Sequence, residues 1–136
     1  DLMNPVETLS PEASVREAAE RMRDLDVGAL PVCDGQRLVG MLTDRDITIR
    51  ATAAGKAPDQ CRVRDAMTPD VDWCFADSDV EEAAQLMEER QIRRLPIVDR
   101  DRKLVGIVAL ADLTQHVGEQ RSGAVIAQVS EPSEPP

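Results

Sequence analysis

Gly40-Met-Leu-Thr43-Asp-Arg-Asp46 sets a hydroxyl and a carboxylate three residues apart, behind a glycine and two apolar residues. An ionised carboxylate offers only acceptor sites, so Asp46 suits a pair of adjacent hydroxyls on a ligand and repels a phosphate. Thr43 stands where a helix should begin. There a hydroxyl, backbone N–H groups and the positive end of the helix dipole favour an anion. The same residues also fit a capping box, which needs no ligand. The two uses are compatible, because each side chain can serve the helix when no ligand is bound.

The pattern occurs twice. Gly106-Ile-Val-Ala109-Leu-Ala-Asp112 keeps the glycine and the aspartate but replaces the hydroxyl with Ala109. Upstream, Gly28-Ala29 of the first copy becomes Arg93-Arg94 in the second, so cations that a phosphate would need stand in the copy that lacks the hydroxyl. Arg45, inside the motif, is a further cation. Solvation or pairing with the many carboxylates would suit these arginines as well as a phosphate would.

The repeat extends through the chain. Asp1-Leu-Met-Asn-Pro5 returns as Asp65-Ala-Met-Thr-Pro69, Val15, Glu17, Ala18, Ala19 and Met22 as Val80, Glu82, Ala83, Ala84 and Met87, and Leu30-Pro31 as Leu95-Pro96. A unit of about fifty residues lies near the lower limit for burying its own core, so two such units are expected to fold against each other with a crevice between them. The expected boundaries are unit 1 at 1–54, a polar linker at 55–64, unit 2 at 65–118 and a tail at 119–136. The acidic, proline-rich stretch from Ser130 to Pro136 is expected to be disordered.

Composition narrows the function classes. Twenty-six acidic residues against 16 basic ones give a net charge of −10, which disfavours nucleic acid and anionic membranes. Trp73 and Phe75 are the only aromatic side chains, too few for a stacking platform along a single strand. No apolar run approaches the ~18 residues of a spanning helix, and no signal peptide is evident; the chain reads as cytoplasmic. Cys33, Cys61 and Cys74 form no CxxC pair and are expected to be reduced thiols. The alternatives, a Cys33–Cys74 bridge or a metal site using His116, require meetings in space that spacing does not imply.

Each unit must position its motif through a small set of elements. The i, i+3, i+4, i+7 spacing of Val15, Ala18, Ala19 and Met22 predicts a helix from Ser14 to Asp26, with Ser14 and Glu17 as a capping box. Ala29 to Cys33 and Leu38 to Leu42 flank Asp34-Gly35 as a hairpin. Thr43 then caps a helix from Asp44 to Ala54, and a short extended piece at Val6 to Leu9 precedes the first helix. The second copy predicts a strand at Trp73 to Ala76, a helix at Asp79 to Gln91, strands at Arg94 to Val98 and Lys103 to Ala109, and a helix at Leu110 to Val117. Val63 to Met67 is a short helix that would open this unit. Ala124 to Val129 is one last short element. The fold class is therefore α+β, with strand-helix-strand-strand-helix in each unit.

With order, motif and duplication in place, residues 1 to about 118 resemble a pair of CBS domains, the Bateman module. Gly28-Ala-Leu-Pro31 and Gly40 to Asp46 further resemble stand-alone CBS-pair proteins of the hypoxia-response type, a stress-response setting. The resemblance implies a homodimer and an adenosine-containing ligand in the cleft between units, commonly AMP, ADP or ATP and sometimes S-adenosylmethionine. It assigns Asp46 to the ribose and Thr43 to a phosphate, with Arg93, Arg94 and Arg45 as cations. It places adenine against Val6, Leu30 and Pro31, or against Val71, Leu95 and Pro96 with Asp112 in the second copy. The site carrying Thr43 and Asp46 is expected to be the stronger.

No enzyme is expected, and no cofactor. The one histidine, His116, aligns with Arg50, and no nucleophile and base recur at a catalytic spacing. The implied function is a regulatory sensor that signals to a partner protein in trans; the alternative is a dimeric protein-interaction scaffold whose nucleotide site has decayed.

Overall fold

In the computed structural model, which describes residues 6–111, helix α1 (Val15–Leu25) begins at Ser14, whose hydroxyl accepts the Glu17 N–H at 3.0 Å. Val15, Ala18 and Met22 form its buried stripe. It ends at Asp26, in the left-handed region at φ 58°, with the Val27 N–H reaching back to the Met22 carbonyl at 3.0 Å. The second copy repeats this ending at Gln91, φ 57°, so both units stop the helix the same way without glycine.

Two compact units result. One comprises residues 7–71; the other begins at Asp72, and Val6 groups with it. In the first, β1 (Ala29–Asp34) and β2 (Arg37–Thr43) pair antiparallel around Asp34-Gly35, with Gly35 at φ 66° supplying the left-handed turn residue. Leu9 adds a single parallel bridge to Val32: its N–H donates to the Pro31 carbonyl and its carbonyl accepts from Cys33, both at 2.9 Å. Leu9, Val15, Val32, Leu42 and Val63 are fully buried together, each contributing roughly 1.5–3 kcal/mol through the area it removes from water.

The helix predicted from Asp44 to Ala54 is not uniform. A single α-turn, α2 (Asp44–Asp46), widens into a π-helix at Ile47–Thr52, in which the Ala53 N–H reaches the Thr48 carbonyl five residues back at 2.8 Å. Ile47, Thr48, Ile49 and Thr52 are β-branched, which lowers helix propensity slightly without selecting either winding. Ile49 stays 46% exposed.

Helix α3 (Val63–Ala66) forms where its spacing predicts, but it packs in the first unit instead of opening the second. The Val63 N–H donates to the Ala13 carbonyl at 2.8 Å, and Arg64 pairs with Glu12 at 2.7 Å. Thr68 then pairs antiparallel with Met41 as an extra rung on β2.

The second unit holds β3 (Cys74–Phe75), parallel to β4 (Arg94–Val98), which pairs antiparallel with β5 (Leu104–Ala109). Helix α4 (Val80–Arg90) buries Val80, Ala83, Ala84 and Met87 against Leu95, Ile97 and Val108. A further helix starts at residue 110. The first copy of the opening motif through Pro5, the rest of the helix expected at Leu110 to Val117, Asp112, His116, the element expected at Ala124 to Val129 and the terminal tail lie outside the described residues.

All three cysteines are free and buried. Burial raises the Cys33 thiol to about 11, and burial followed by the charge of Glu82 raises Cys74 to about 11. A raised thiol pKa favours the neutral native form, so this stabilisation is complete below the unfolded-state pKa and is lost as pH rises from about 9 toward 11. Native-state labelling by a thiol reagent at pH 8 should therefore be slow at Cys33 and Cys74 and become complete on unfolding. Fast native labelling of either would contradict their burial.

Candidate functional site

Strand β2 delivers Thr43 to the start of α2, and the capping box expected there is present. The Thr43 hydroxyl accepts the Asp46 N–H at 3.0 Å, and the Asp46 Oδ2 accepts the Thr43 N–H at 3.0 Å. Both residues are half-buried. The box uses one carboxylate oxygen and one lone pair of the hydroxyl. Asp46 Oδ1 keeps its acceptor capacity, and the Thr43 hydroxyl keeps its proton to donate. A vicinal diol and a phosphate oxygen are the groups that match this pair.

The helix start is less open to an anion than its sequence suggests. The Asp44 N–H already donates to the Gly28 carbonyl at 2.9 Å, and the Asp46 N–H is held by Thr43. Arg45, between them, is exposed.

In the second unit the same turn is built from the other copy's residues. The Leu110 N–H donates to the Arg93 carbonyl at 2.8 Å, the counterpart of the Asp44 to Gly28 bond. The register sets Arg94 directly opposite Ala109, as Ala29 stands opposite Thr43. Both arginine side chains are exposed, so in this unit two cations flank the strand-to-helix turn that lacks the hydroxyl.

The residues expected to contact adenine are mostly core. Leu30 is 4% exposed and Leu95 is fully buried, while Pro31 and Pro96 are buried opposite Met41 and Ile107. Val6 and Val71 are half-buried and exchange units relative to the sequence repeat: Val6 groups with the second unit and Val71 closes the first.

Sequence reasoning missed what Gly40 and Arg50 do. A Cβ at Gly40 would stand 2.7 Å from the Thr68 carbonyl oxygen and 2.8 Å from the Met67 sulfur, so the glycine admits the extra rung at Thr68. Arg50, carried by the π-helix, donates to the Met67 carbonyl at 2.7 Å and the Ala66 carbonyl at 3.4 Å, which satisfies the end of α3. The strand, turn and helix that present Thr43 and Asp46 therefore also grip the segment leading to Asp72. Recurrence of the glycine in both copies was the only available signal. Arg50→Ala should speed hydrogen exchange at the Met41 and Thr68 amides several-fold with little change elsewhere; unchanged exchange there would remove Arg50 from that role.

Among the described residues no group of three or more His, Cys, Asp or Glu side chains converges as a metal site, and no helix is long and apolar enough to cross a membrane.

The CBS domain family model matches residues 1–51 and 63–119. The chain belongs to the CBS-domain family. It is a CBS-pair regulatory module, the class to which the duplicated motif pointed. The CBS domain-containing protein YhcV of Bacillus subtilis is 43% identical over 126 residues, 92% of this chain and 89% of its own length. Hypoxic response protein 1 of Mycobacterium tuberculosis is 40% identical over 121 residues, covering 88% of this chain and 84% of that protein. A crystal structure of Hypoxic Response Protein I with two coordinated zinc ions superposes with a TM-score of 0.76 at 39% identity, covering 86% of this chain and 96% of that one. CBSX2 of Arabidopsis thaliana, solved in complex with AMP, gives a TM-score of 0.70 at 31% identity, covering 85% and 91%.

Proposed function

We propose that this CBS pair senses an adenine nucleotide, holding the ribose on Asp46 and a phosphate on Thr43, and signals occupancy to a partner protein in trans. The observation that carries this reading is the strand-to-helix turn at Thr43, where capping leaves Asp46 Oδ1 and the Thr43 proton unspent. The AMP complex of CBSX2 supports the ligand class. Arg45 is the nearest cation in sequence, and Arg93 and Arg94 supply further positive charge. AMP, ADP and ATP are the favoured ligands, with S-adenosylmethionine the remaining candidate. Thr43 has no counterpart hydroxyl at Ala109, so the turn at Ala109 to Asp112 is the weaker one: losing one neutral donor costs about 1 kcal/mol, roughly fivefold in affinity.

The module acts without catalysis. Binding shifts the balance between two conformations by no more than the difference in the ligand's affinity for them, and the partner reads that balance. Homodimerisation and a cytoplasmic setting complete the proposal.

Calorimetric titration with AMP, ADP, ATP and S-adenosylmethionine tests it. Saturable binding of at least one is expected, with adenosine-lacking phosphates inert at the Thr43 turn. Absence of binding by all four would favour the scaffold reading.

A further inference from the structure

The chain's two aromatic rings, Trp73 and Phe75, meet edge to face with centroids 5.0 Å apart, and each carries an arginine. The two arginines are used differently. Arg100 lies 4.0 Å over Phe75 and spends its donors on Asp77, at 2.9 and 3.0 Å to the two carboxylate oxygens. Arg102 lies 4.6 Å over Trp73, but among the described residues its guanidinium has no acceptor, and its Nε is buried without a partner. Among the described residues no carboxylate pairs with this stacked cation.

The backbone adds an independent observation. Arg102 sits at φ 69°, the left-handed region that glycine fills without strain and that Gly35 fills in the first unit's hairpin. Asp99 pins the loop: its carboxylate accepts the Asp101 and Lys103 N–H groups at 2.8 and 3.0 Å, and its carbonyl accepts the Arg102 N–H at 3.0 Å. Both side-chain bonds fall on Asp99 Oδ1, and among the described residues none joins Asp99 to the Arg102 guanidinium. A strained, non-glycine residue with a buried unpaired donor is the combination that points to function and away from stability.

We propose that Arg102, stacked on Trp73, is a receptor for an oxyanion, a carboxylate or a phosphoryl group. Stacking on the indole and burial of Nε fix the guanidinium plane, and the two Nη groups, which no acceptor holds among the described residues, form the edge for two parallel bonds to one anion. The site is distinct from the turn at Ala109: Arg94 pairs with Ala109 at one end of the hairpin and Val98 pairs with Leu104 at the other. Four residues of strand separate those ends by about 13 Å.

Trp73, the sole tryptophan, reports on its own stacked cation. Inorganic phosphate and acetate are titrated separately into the full chain at constant ionic strength, with chloride as the reference, while Trp73 emission is followed. A saturable change beyond chloride is expected with at least one anion. Saturation by acetate alone would assign a carboxylate source and by phosphate alone a phosphoryl source. Arg102→Gly should abolish the response, with a melting temperature equal to or above that of the parent, since glycine relieves the backbone. Arg100→Ala should keep the response. The proposal is overturned if neither anion acts beyond chloride, if Arg102→Gly responds like the parent, or if that variant melts lower.

Discussion

Asp46→Asn is expected to lower adenine-nucleotide affinity by roughly ten- to a hundredfold, because the neutral amide forfeits a charge-assisted acceptor to the ribose worth about 1.5–3 kcal/mol. The fold should barely register it. The asparagine carbonyl can still accept the Thr43 N–H that Asp46 Oδ2 now holds at 3.0 Å. Asp46→Ala removes both functions and should additionally cost about 1 kcal/mol of stability through the lost cap. Calorimetry and thermal melts on the two variants separate the contributions. If Asp46→Asn binds as well as the parent, Asp46 serves the helix alone.

Gly40→Ala should be the most damaging single methyl in the first unit. The added Cβ would stand 2.7 Å from a backbone carbonyl oxygen and 2.8 Å from the Met67 sulfur. Backbone cannot step aside as a side chain can, so the Met41–Thr68 rung must part, at a cost of about 1–3 kcal/mol. Gly28→Ala is the matched control. Its Cβ would meet only the end of the Asp44 carboxylate at 3.2 Å, which can rotate, and its melting temperature should stay near the parent's. Equal melting temperatures for the two variants would contradict the close approach at Thr68.

These two positions also mark how far sequence reading reached. The hairpin at Asp34-Gly35, the stripe on α1 and the Thr43–Asp46 box depend on neighbours in sequence, and all three stand where their residues place them. Family membership was legible for the same reason, since the motif and its repeat are written in order.

What could not be read depends on distant partners. Nothing in Ile47-Thr-Ile-Arg-Ala-Thr52 distinguishes an α-helix from a π-helix, because both leave an apolar side chain every turn or so; the choice sets where Arg50 points. Val63 to Thr68 looks like the start of the second copy, because its resemblance to residues 1–5 belongs to the repeat. Its hydrogen bonds to Ala13, Pro11 and Met41 belong to the first unit. Leu30 and Leu95, which the resemblance places against adenine, each pack in the core of their own unit, a burial that depends on residues distant in sequence. The strain at Arg102 is likewise invisible in sequence, since only the closed hairpin demands a positive φ there.

Backbone amide resonances followed during an AMP titration test whether the Thr43–Asp46 turn is the nucleotide site. The Thr43, Arg45 and Asp46 amides should shift saturably, with one apparent Kd shared among them, and Asp46→Asn should weaken that Kd by roughly ten- to a hundredfold. Saturable shifts confined to other residues, with these three amides unmoved, would contradict it.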